Sequence, residues 1–266
     1  MNTLLAVFVF TFGLLIGSFL NVVIFRYDTR KGLYGRSHCL LCGTTLSALE
    51  LVPLFSFLFL RGRCRECKNR ISLQYPAVEF LSGLIFLLIF LNQTPPLESS
   101  VMLVAFLILL CISAYDIRHK IIPNGFVYSL IGLSFAALFI DLTNISLRIP
   151  SFFDAMSGPV VAFPLWFLWM ISKGKWIGYG DAKLALGIGW LFGMSSGLTV
   201  LVFSFWIGAF VSLLLIGFER LFLRLKLNLK MKHLTIKTEI PFAPFLAAGA
   251  ILVYFCGINL MTLLLF

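Results

Sequence analysis

Apolar stretches of roughly 20 residues fill most of this 266-residue chain, and they constrain its fold more than any other feature. A helix that crosses the hydrocarbon core of a bilayer needs about 20 apolar residues. The stretches are too numerous to share one buried core. Only 12% of the residues are charged, whereas soluble domains carry about 25%. The sequence therefore predicts an all-α polytopic membrane protein.

About eight spans are predicted from these stretches. They are Leu4–Phe25, Pro76–Leu91, Val101–Ala114, Asn124–Ile140, Phe152–Ser172, Lys183–Met194, Leu198–Gly217 and Phe242–Phe266. The span at 183–194 is short and rich in glycine, and its Gly189 and Gly193 share one helix face, which favours close helix packing. This span could instead be re-entrant, so that seven and eight crossings both remain open.

The basic residues predict how the chain is oriented in the membrane. With the N-terminus outside, the loops 26–75, 115–123, 173–183 and 218–241 lie inside and hold 20 of the 21 Lys and Arg residues, all except Arg148. This bias follows the positive-inside rule and predicts that the main loops are cytoplasmic. It also explains the net charge of +10 through contact with membrane lipid, without a nucleic-acid partner.

Three regions follow from this map: a first transmembrane helix at 1–25, a cytoplasmic loop domain at 26–75 and a transmembrane core at 76–266. The second large loop alternates apolar with polar residues between Leu223 and Ile240. A period of two is typical of strands, so a small cytoplasmic β-hairpin is possible there. A basic linker with accidental alternation is the other interpretation.

Four cysteines in the first loop form two Cys-x2-Cys pairs, which indicate a metal site. Cys39 and Cys42 are separated by 21 residues from Cys64 and Cys67. This spacing is typical of a closed, structural zinc site with four thiolate ligands. Disulfides or free thiols are the alternatives, and a reducing cytosol disfavours the disulfides.

Three acidic residues lie at the cytoplasmic ends of predicted spans, where ionisable groups are costly and usually have a function or a partner. They are Glu79, Asp116 and Asp181. Each also has a structural explanation: Asp181 could cap its helix, and the other two could pair with basic residues nearby. The shared membrane face favours a functional role, and Gly178 and Gly180 would permit close approach of a second helix or an extended peptide beside Asp181.

Two carboxylates in a site of low dielectric share a proton, so that one can act as a base towards water while the other polarises a carbonyl. This is the chemistry of aspartic peptidases. The three histidines form no His-Glu-x-x-His pair, and the chain has no Gly-x-Ser-x-Gly segment, so neither alternative hydrolase motif is present.

Several segments together resemble the type IV prepilin peptidases, a family of intramembrane aspartic peptidases that are also N-methyltransferases. The segments are Gly17–Ile24, both Cys-x2-Cys pairs, Leu60–Cys64, Tyr75–Glu79, Asp116 with Ile122 and Pro123, Gly178–Leu184 and Pro241–Phe245. The chain departs from the usual family pattern at Phe25, Gln74, Asn124 and Ala243.

The resemblance implies an enzyme of the bacterial inner membrane that cleaves the basic leader of prepilins or pseudopilins on the cytoplasmic side. It implies that Asp116 and Asp181 are the catalytic pair. It further implies methylation of the new N-terminus with S-adenosylmethionine, associated with the cysteine-bearing loop, and we expect Glu79 to serve this step or to hold the substrate amine. The sequence carries no glycine-rich fingerprint for that cofactor.

Two other classes of protein remain as alternatives. A proton-coupled transporter could use Asp116 and Asp181, although it predicts carboxylates near the middle of the membrane. A structural assembly protein with a zinc anchor would not account for the Gly-x-Gly-Asp segment at 178–181. The sequence names neither the pilin or secretion pathway served nor the oligomeric state.

Overall fold

A computed structural model describes residues 3–27, 35–39, 41–224 and 240–260, with the backbone alone for 219–224. Its helices are α1 (Thr3–Arg26), α2 (Phe55–Phe59), α3 (Gln74–Asn92), α4 (Pro96–His119), α5 (Asn124–Ala137), α6 (Phe152–Ser172), α7 (Tyr179–Arg224) and α8 (Ala243–Cys256), and its strands are β1 (Ile140–Asp141) and β2 (Ser146–Leu147). A 3₁₀ helix at Ala48–Leu51 precedes α2. The prediction of a mostly helical chain is confirmed.

Five helices in the described part of the chain are long and apolar enough to cross a membrane. They are α1, α3, α4, α6 and the 40-residue stretch Tyr179–Phe218 of α7, which counts once here although a break at Gly193 divides it. Helices α5 and α8 are apolar but have only 14 residues each. The chain is therefore built as a membrane protein, and the eight crossings predicted from the sequence stay a prediction.

The backbone divides into two compact units, Met1–Ala114 and Tyr115–Phe266. In the first unit, α1 packs against α3 through small residues. A Cβ atom at Gly13 would lie 2.8 Å from the Cα atom of Gly83, and one at Gly17 would lie 2.7 Å from the Cα atom of Glu79. The Ser82 hydroxyl also donates to the Gly13 carbonyl over 2.8 Å.

These contacts join residues whose numbers rise along α1 and fall along α3, so the two helices are antiparallel. Farther along, Asn21 Nδ2 donates to the Tyr75 carbonyl over 3.0 Å. The end of α1 therefore adjoins the start of α3, and the loop between them begins and ends at the same end of the helix pair. Gly13 and Gly17 form a Gly-x-x-x-Gly pair, the sequence signal for such packing.

In the second unit, α7 is broken at Gly193, whose φ of 78° and ψ of 174° are not helical. A Cβ atom at Gly197 would lie 3.2 Å from the Cα atom of Gly189, whereas eight residues of unbroken helix span about 12 Å. The chain therefore turns back at Gly193, and α7 consists of two helices that touch. This agrees with the two spans predicted at 183–194 and 198–217.

The packing role predicted for the two glycines of this segment is right for one of them. A Cβ atom at Gly189 would lie 2.6 Å from the Ser157 carbonyl oxygen and 2.8 Å from the Cα atom of Gly158, so Gly189 does allow α7 to approach α6. Gly193 has nothing within 4 Å of its Cβ position. The positive φ at the break is what requires glycine there.

Strands β1 and β2 form a two-stranded antiparallel hairpin that the sequence did not predict. They have two residues each, too few to show a period of two. The hairpin predicted between Leu223 and Ile240 is a different segment, and residues 225–239 lie outside the described part of the chain.

Candidate active site and metal centre

The candidate active site lies in the second unit, where one end of α4 and the starts of three other helices come together. Asp116 lies three residues before the end of α4, and Asp181 lies in the first turn of α7. Only 4% of Asp116 and 7% of Asp181 is exposed. The charge of Asp116 acts on the carboxyl group of Asp181, and the catalytic pairing of the two stays a prediction.

Each aspartate is held by one backbone amide. Asp116 Oδ2 accepts from the Ala243 N–H over 3.3 Å, at the first residue of α8, and Asp181 Oδ2 accepts from the Gly178 N–H over 3.2 Å. Free amides at a helix start favour a carboxylate. The other oxygen of Asp181, Oδ1, is buried and has no hydrogen-bond partner among the described residues. A buried carboxyl oxygen of this kind needs a proton, a water or a substrate atom.

The two predicted glycines serve this arrangement in different ways. Gly178 supplies the amide for Asp181, and its own Cβ position lies 3.3 Å from Asp181 Oδ2. At Gly180, a Cβ atom would lie 2.9 Å from Cβ of Ile122, so that glycine lets the segment between α4 and α5 approach α7. The close approach at Gly180 is thus made by a second part of the chain itself.

Lys183 joins the starts of α5 and α7, a role that the sequence interpretation did not assign. Its ammonium donates to Asn124 Oδ1 over 3.1 Å and to the Tyr128 hydroxyl over 3.2 Å. The ammonium also lies 4.8 Å from the centroid of the Tyr179 ring, within the range of a cation–π contact. Ile122, Lys183 and Ala243 all lie inside segments that carry the family resemblance. That resemblance was the only sign in the sequence that these three residues belong to the site.

Glu79 lies in the first unit and has partners of its own. It is 8% exposed, and its Oε2 accepts from the Leu54 N–H over 2.9 Å. The Ser18 side chain forms a further hydrogen bond with it. In the described part of the chain Glu79 forms no ion pair, so an arginine of the loop is not its partner there. Glu79 therefore attaches the loop to the α1–α3 pair.

Two more polar groups lie in the same helix pair. Asn21 is 1% exposed, and its Oδ1 has no hydrogen-bond partner in the described structure; Nε2 of Gln74, the first residue of α3, is also buried and without a partner. The ring of Phe25 stacks on Tyr75 with 4.5 Å between centroids. Sequence reasoning assigned Asn21 no role, although it lies in the motif Gly17–Ile24.

The four cysteines come together as the spacing predicts. Their sulfur atoms lie within 4.8 Å of one another. The Sγ atoms of Cys39 and Cys67 are 3.9 Å apart, and those of Cys42 and Cys64 are 4.0 Å apart. Four sulfurs at about 2.3 Å around a tetrahedral zinc ion are separated by about 3.8 Å, so the donor set fits zinc. A disulfide needs about 2.05 Å between sulfurs, and all four cysteines are free.

The two Cys-x2-Cys turns have the same backbone geometry. Gly43 donates to the Cys39 carbonyl over 3.0 Å, and Lys68 donates to the Cys64 carbonyl over 3.0 Å. Both Gly43 and Lys68 have positive φ values, 73° and 58°. Hydrogen bonds with the side chain and then with the backbone of Thr44 lower the pKa of Cys42 to about 6, which favours the thiolate form that binds metal.

Comparison with known proteins is consistent with this architecture. Residues 11–93 match the bacterial peptidase A24 N-terminal domain, and residues 101–213 match the type IV leader peptidase family. No solved structure showed a significant match to the chain.

Curated relatives match over nearly the whole length. A prepilin leader peptidase/N-methyltransferase of Bacillus subtilis is 30% identical over 255 residues, which cover 95% of each chain. The protein of the same name from Aeromonas hydrophila is 32% identical, with 90% of this chain and 86% of the relative covered. One from Pseudomonas putida is 32% identical, with 88% and 85% covered. This chain therefore belongs to the type IV leader peptidase family and is a peptidase.

Proposed function

We propose that the protein cleaves the short basic leader of type IV prepilins or pseudopilins at the cytoplasmic face of a bacterial inner membrane, with Asp116 and Asp181 as its catalytic pair. The observation that carries this proposal is the burial of both carboxyl groups, one near the end of α4 and the other at the start of α7. The Oδ1 atom of Asp181 is in addition buried without a partner among the described residues. The names of the relatives support the substrate class.

The cleavage needs one carboxylate and one carboxylic acid. The ionised aspartate removes a proton from a water, and the water oxygen attacks the carbonyl carbon of the scissile peptide bond. The protonated aspartate gives its proton to the carbonyl oxygen, and a tetrahedral diol forms. The aspartate that took the water proton then gives it to the leaving nitrogen, and a diol hydroxyl returns its proton to the other aspartate. The C–N bond breaks, and the pair is left with its single shared proton.

Both aspartates receive one amide each, so that neither is marked as the initial base, and the pair titrates as a unit. The Oδ1 atom of Asp181 is buried and has no hydrogen-bond partner among the described residues, so it is well placed to share the proton or to orient the water. The close contact of Gly180 with Ile122 supports a rigid frame around this turn. Such a frame keeps the carboxyl groups oriented before substrate binds.

The first unit is proposed to methylate the new N-terminus, and the substrates are a pilin α-amine and S-adenosylmethionine. That cofactor supplies a methyl group on a positively charged sulfur. Glu79 offers a buried carboxylate, and Asn21 offers an unpartnered carbonyl oxygen, so this donor set fits a cationic group. Glu79 would hold the ammonium of the amine and then accept its proton, which leaves the amine neutral and nucleophilic.

Zinc is proposed to be structural, bound by Cys39, Cys42, Cys64 and Cys67 within the loop domain 26–75. Four thiolates leave no open coordination position for a substrate. Because Leu54 of this loop donates to Glu79, a fixed loop would keep the Glu79 carboxylate in place. The metal would thus act on the methylation step only through the position of the loop.

One assay tests the two activities together. The purified full-length protein is incubated with a prepilin and S-adenosylmethionine, and the mass of the product N-terminus is measured. We expect loss of the leader and a gain of one methyl group on the new α-amine. Leader loss without methyl gain would keep the peptidase proposal and refute the methyltransferase proposal. An intact prepilin would refute the proposed substrate, and uptake of protons by vesicles carrying the protein would favour a transporter.

A further inference from the structure

The loop of the first unit exposes large apolar side chains in a place that the sequence predicts to be outside the membrane. Phe59 is 85% exposed, Leu49 82%, Leu58 70% and Phe55 57%. Three of these belong to α2. Phe57 of the same helix differs, because its ring covers Gly62 at 2.8 Å from that residue's Cβ position. Exposed apolar surface of this kind on a folded segment indicates an interaction surface.

A basic pocket follows α2 directly. It is a cavity of about 360 Å³ lined by Leu60, Arg61, Arg63, Cys64, Arg65 and Lys68. In the described part of the chain, the side chains of Arg61, Arg63 and Lys68 form no ion pair. Arg65 has a longer-range attraction to Glu50. The volume is ample for a phosphate group with part of the molecule that carries it.

An anion would offset the repulsion between two arginines beside this pocket. Arg63 and Arg70 lie opposite each other in an antiparallel bridge. Like charges in directly opposed positions destabilise a strand pair. A zinc ion with four thiolates carries a charge of −2. Residues 61–70 hold five basic residues and one acidic residue, so the loop keeps a surplus of positive charge even with the metal bound.

We propose that this loop binds an anionic phospholipid, with the phosphate in the pocket of Arg61, Arg63, Arg65 and Lys68 and with Phe55, Leu58 and Phe59 in the apolar edge of the bilayer. A phospholipid presents a phosphate directly beside acyl chains, which matches a basic pocket beside exposed aromatic residues. The end of α1 adjoins the start of α3, so both ends of the loop emerge at one membrane surface. The bilayer is thus within reach of α2.

The test is native mass spectrometry of the full-length protein released from vesicles of phosphatidylglycerol and phosphatidylcholine. We expect the wild-type protein to retain phosphatidylglycerol selectively. Each arginine near an anionic membrane contributes about fivefold in affinity, so the double substitution Arg61→Gln with Arg63→Gln should weaken retention about 25-fold. The substitution Phe59→Ser should weaken retention of the same lipid as well.

The matched control is Lys173→Gln with Lys175→Gln, which removes the same charge from another predicted cytoplasmic loop and should leave the retained lipid unchanged. The zinc content of each variant, measured by elemental analysis, reports whether the loop is still folded. Equal loss in both double variants would overturn the proposal, because general electrostatic attraction would then explain retention. Displacement of the lipid by inorganic phosphate or by a prepilin would also overturn it, because the pocket would then serve a free anion or a substrate.

Discussion

Glu79 in the first unit and Asp181 in the second are both acidic residues buried in apolar helices, yet their oxygens are used differently. Glu79 receives the Leu54 amide and the Ser18 hydroxyl, so that it attaches a loop to a helix pair. Asp181 receives one amide, from Gly178, and leaves Oδ1 buried without a partner in the described structure.

This difference supports the proposal that Asp181 is reactive, because among the described residues only Glu79 is held by the chain itself through more than one group. An ionised group inside an apolar region is costly, and hydrogen bonds to its oxygens offset part of that cost. Glu79 keeps its position in the absence of any substrate because the loop satisfies it. For Asp181, the partner still has to come from a water, a proton or a ligand, and a second acidic group, Asp116, interacts with it. The comparison leads to four predictions.

The largest effect is expected at the aspartate pair. Asp116→Asn and Asp181→Asn should each reduce leader cleavage at least about 1,000-fold, because an amide can neither accept nor release the required proton. The double variant should be little slower than either single one, since both residues act in the same step. Cleavage is measured by mass spectrometry of a prepilin over time.

Glu98→Gln is the control for the pair, because Glu98 lies at the other end of α4 from Asp116. It should cleave at the wild-type rate. All variants should elute as folded protein from size-exclusion chromatography. Substantial processing by either asparagine variant would refute the catalytic pair, and so would a measured separation of the two carboxyl groups greater than about 10 Å.

The next effect is expected at Glu79 and concerns methylation alone. Glu79→Gln keeps an oxygen that can accept from the Leu54 amide, while it removes the negative charge. Methyl transfer to the mature pilin should fall about 100-fold and cleavage should change little, as expected when a group that assists proton removal is lost. Normal methylation by this variant would show that Glu79 only attaches the loop. Abolished cleavage would also refute the assignment, because Glu79 would then be needed by the peptidase.

Metal removal should affect the first unit, which contains Glu79, and its effect should be smaller than that of Glu79→Gln. We expect one zinc ion per chain, and Cys42→Ser or a strong chelator should speed proteolysis of the loop at least about tenfold, because the metal holds the two turns together. Methylation should decline with loop order, while cleavage by the aspartate pair persists. Cys256→Ser, at an exposed cysteine of α8, is the control. Carefully purified protein without stoichiometric metal would contradict the prediction.

Much of this arrangement could be predicted because it depends on local patterns. The apolar stretches placed α6 at its observed limits and α1 and α3 within two residues of theirs. The cysteine spacing predicted the cluster, because each pair forms its turn from neighbouring residues. The break of α7 at Gly193 also agrees with the two predicted spans, since a glycine-rich stretch weakens a helix.

The contacts that the sequence could not supply join distant positions. The amide of Ala243 reaches Asp116 across 127 positions, and Asn21 reaches the Tyr75 carbonyl across 54. Neither periodicity nor spacing encodes such pairs. The same limit applies to Gly180, whose neighbour Ile122 belongs to another element, and to Gly193, where a backbone angle rather than packing requires glycine.

The smallest effect is expected at Gly180, and it tests whether the turn that carries Asp181 is rigid. Gly180→Ala places a methyl group 2.9 Å from Cβ of Ile122, which is too close, so either α7 or the segment before α5 must shift. Overpacking of this kind costs about 1 kcal/mol or more, and we expect about fivefold slower cleavage with methylation of an already cleaved pilin unchanged.

Gly132→Ala is the matched control, because nothing lies within 4 Å of its Cβ position in α5. That variant should cleave normally and be slightly more stable, since alanine is the better helix former. If Gly180→Ala cleaves as fast as Gly132→Ala, the turn at Asp181 accommodates the methyl group without a loss of activity. The difference between Asp181 and Glu79 would then rest on their hydrogen bonds alone.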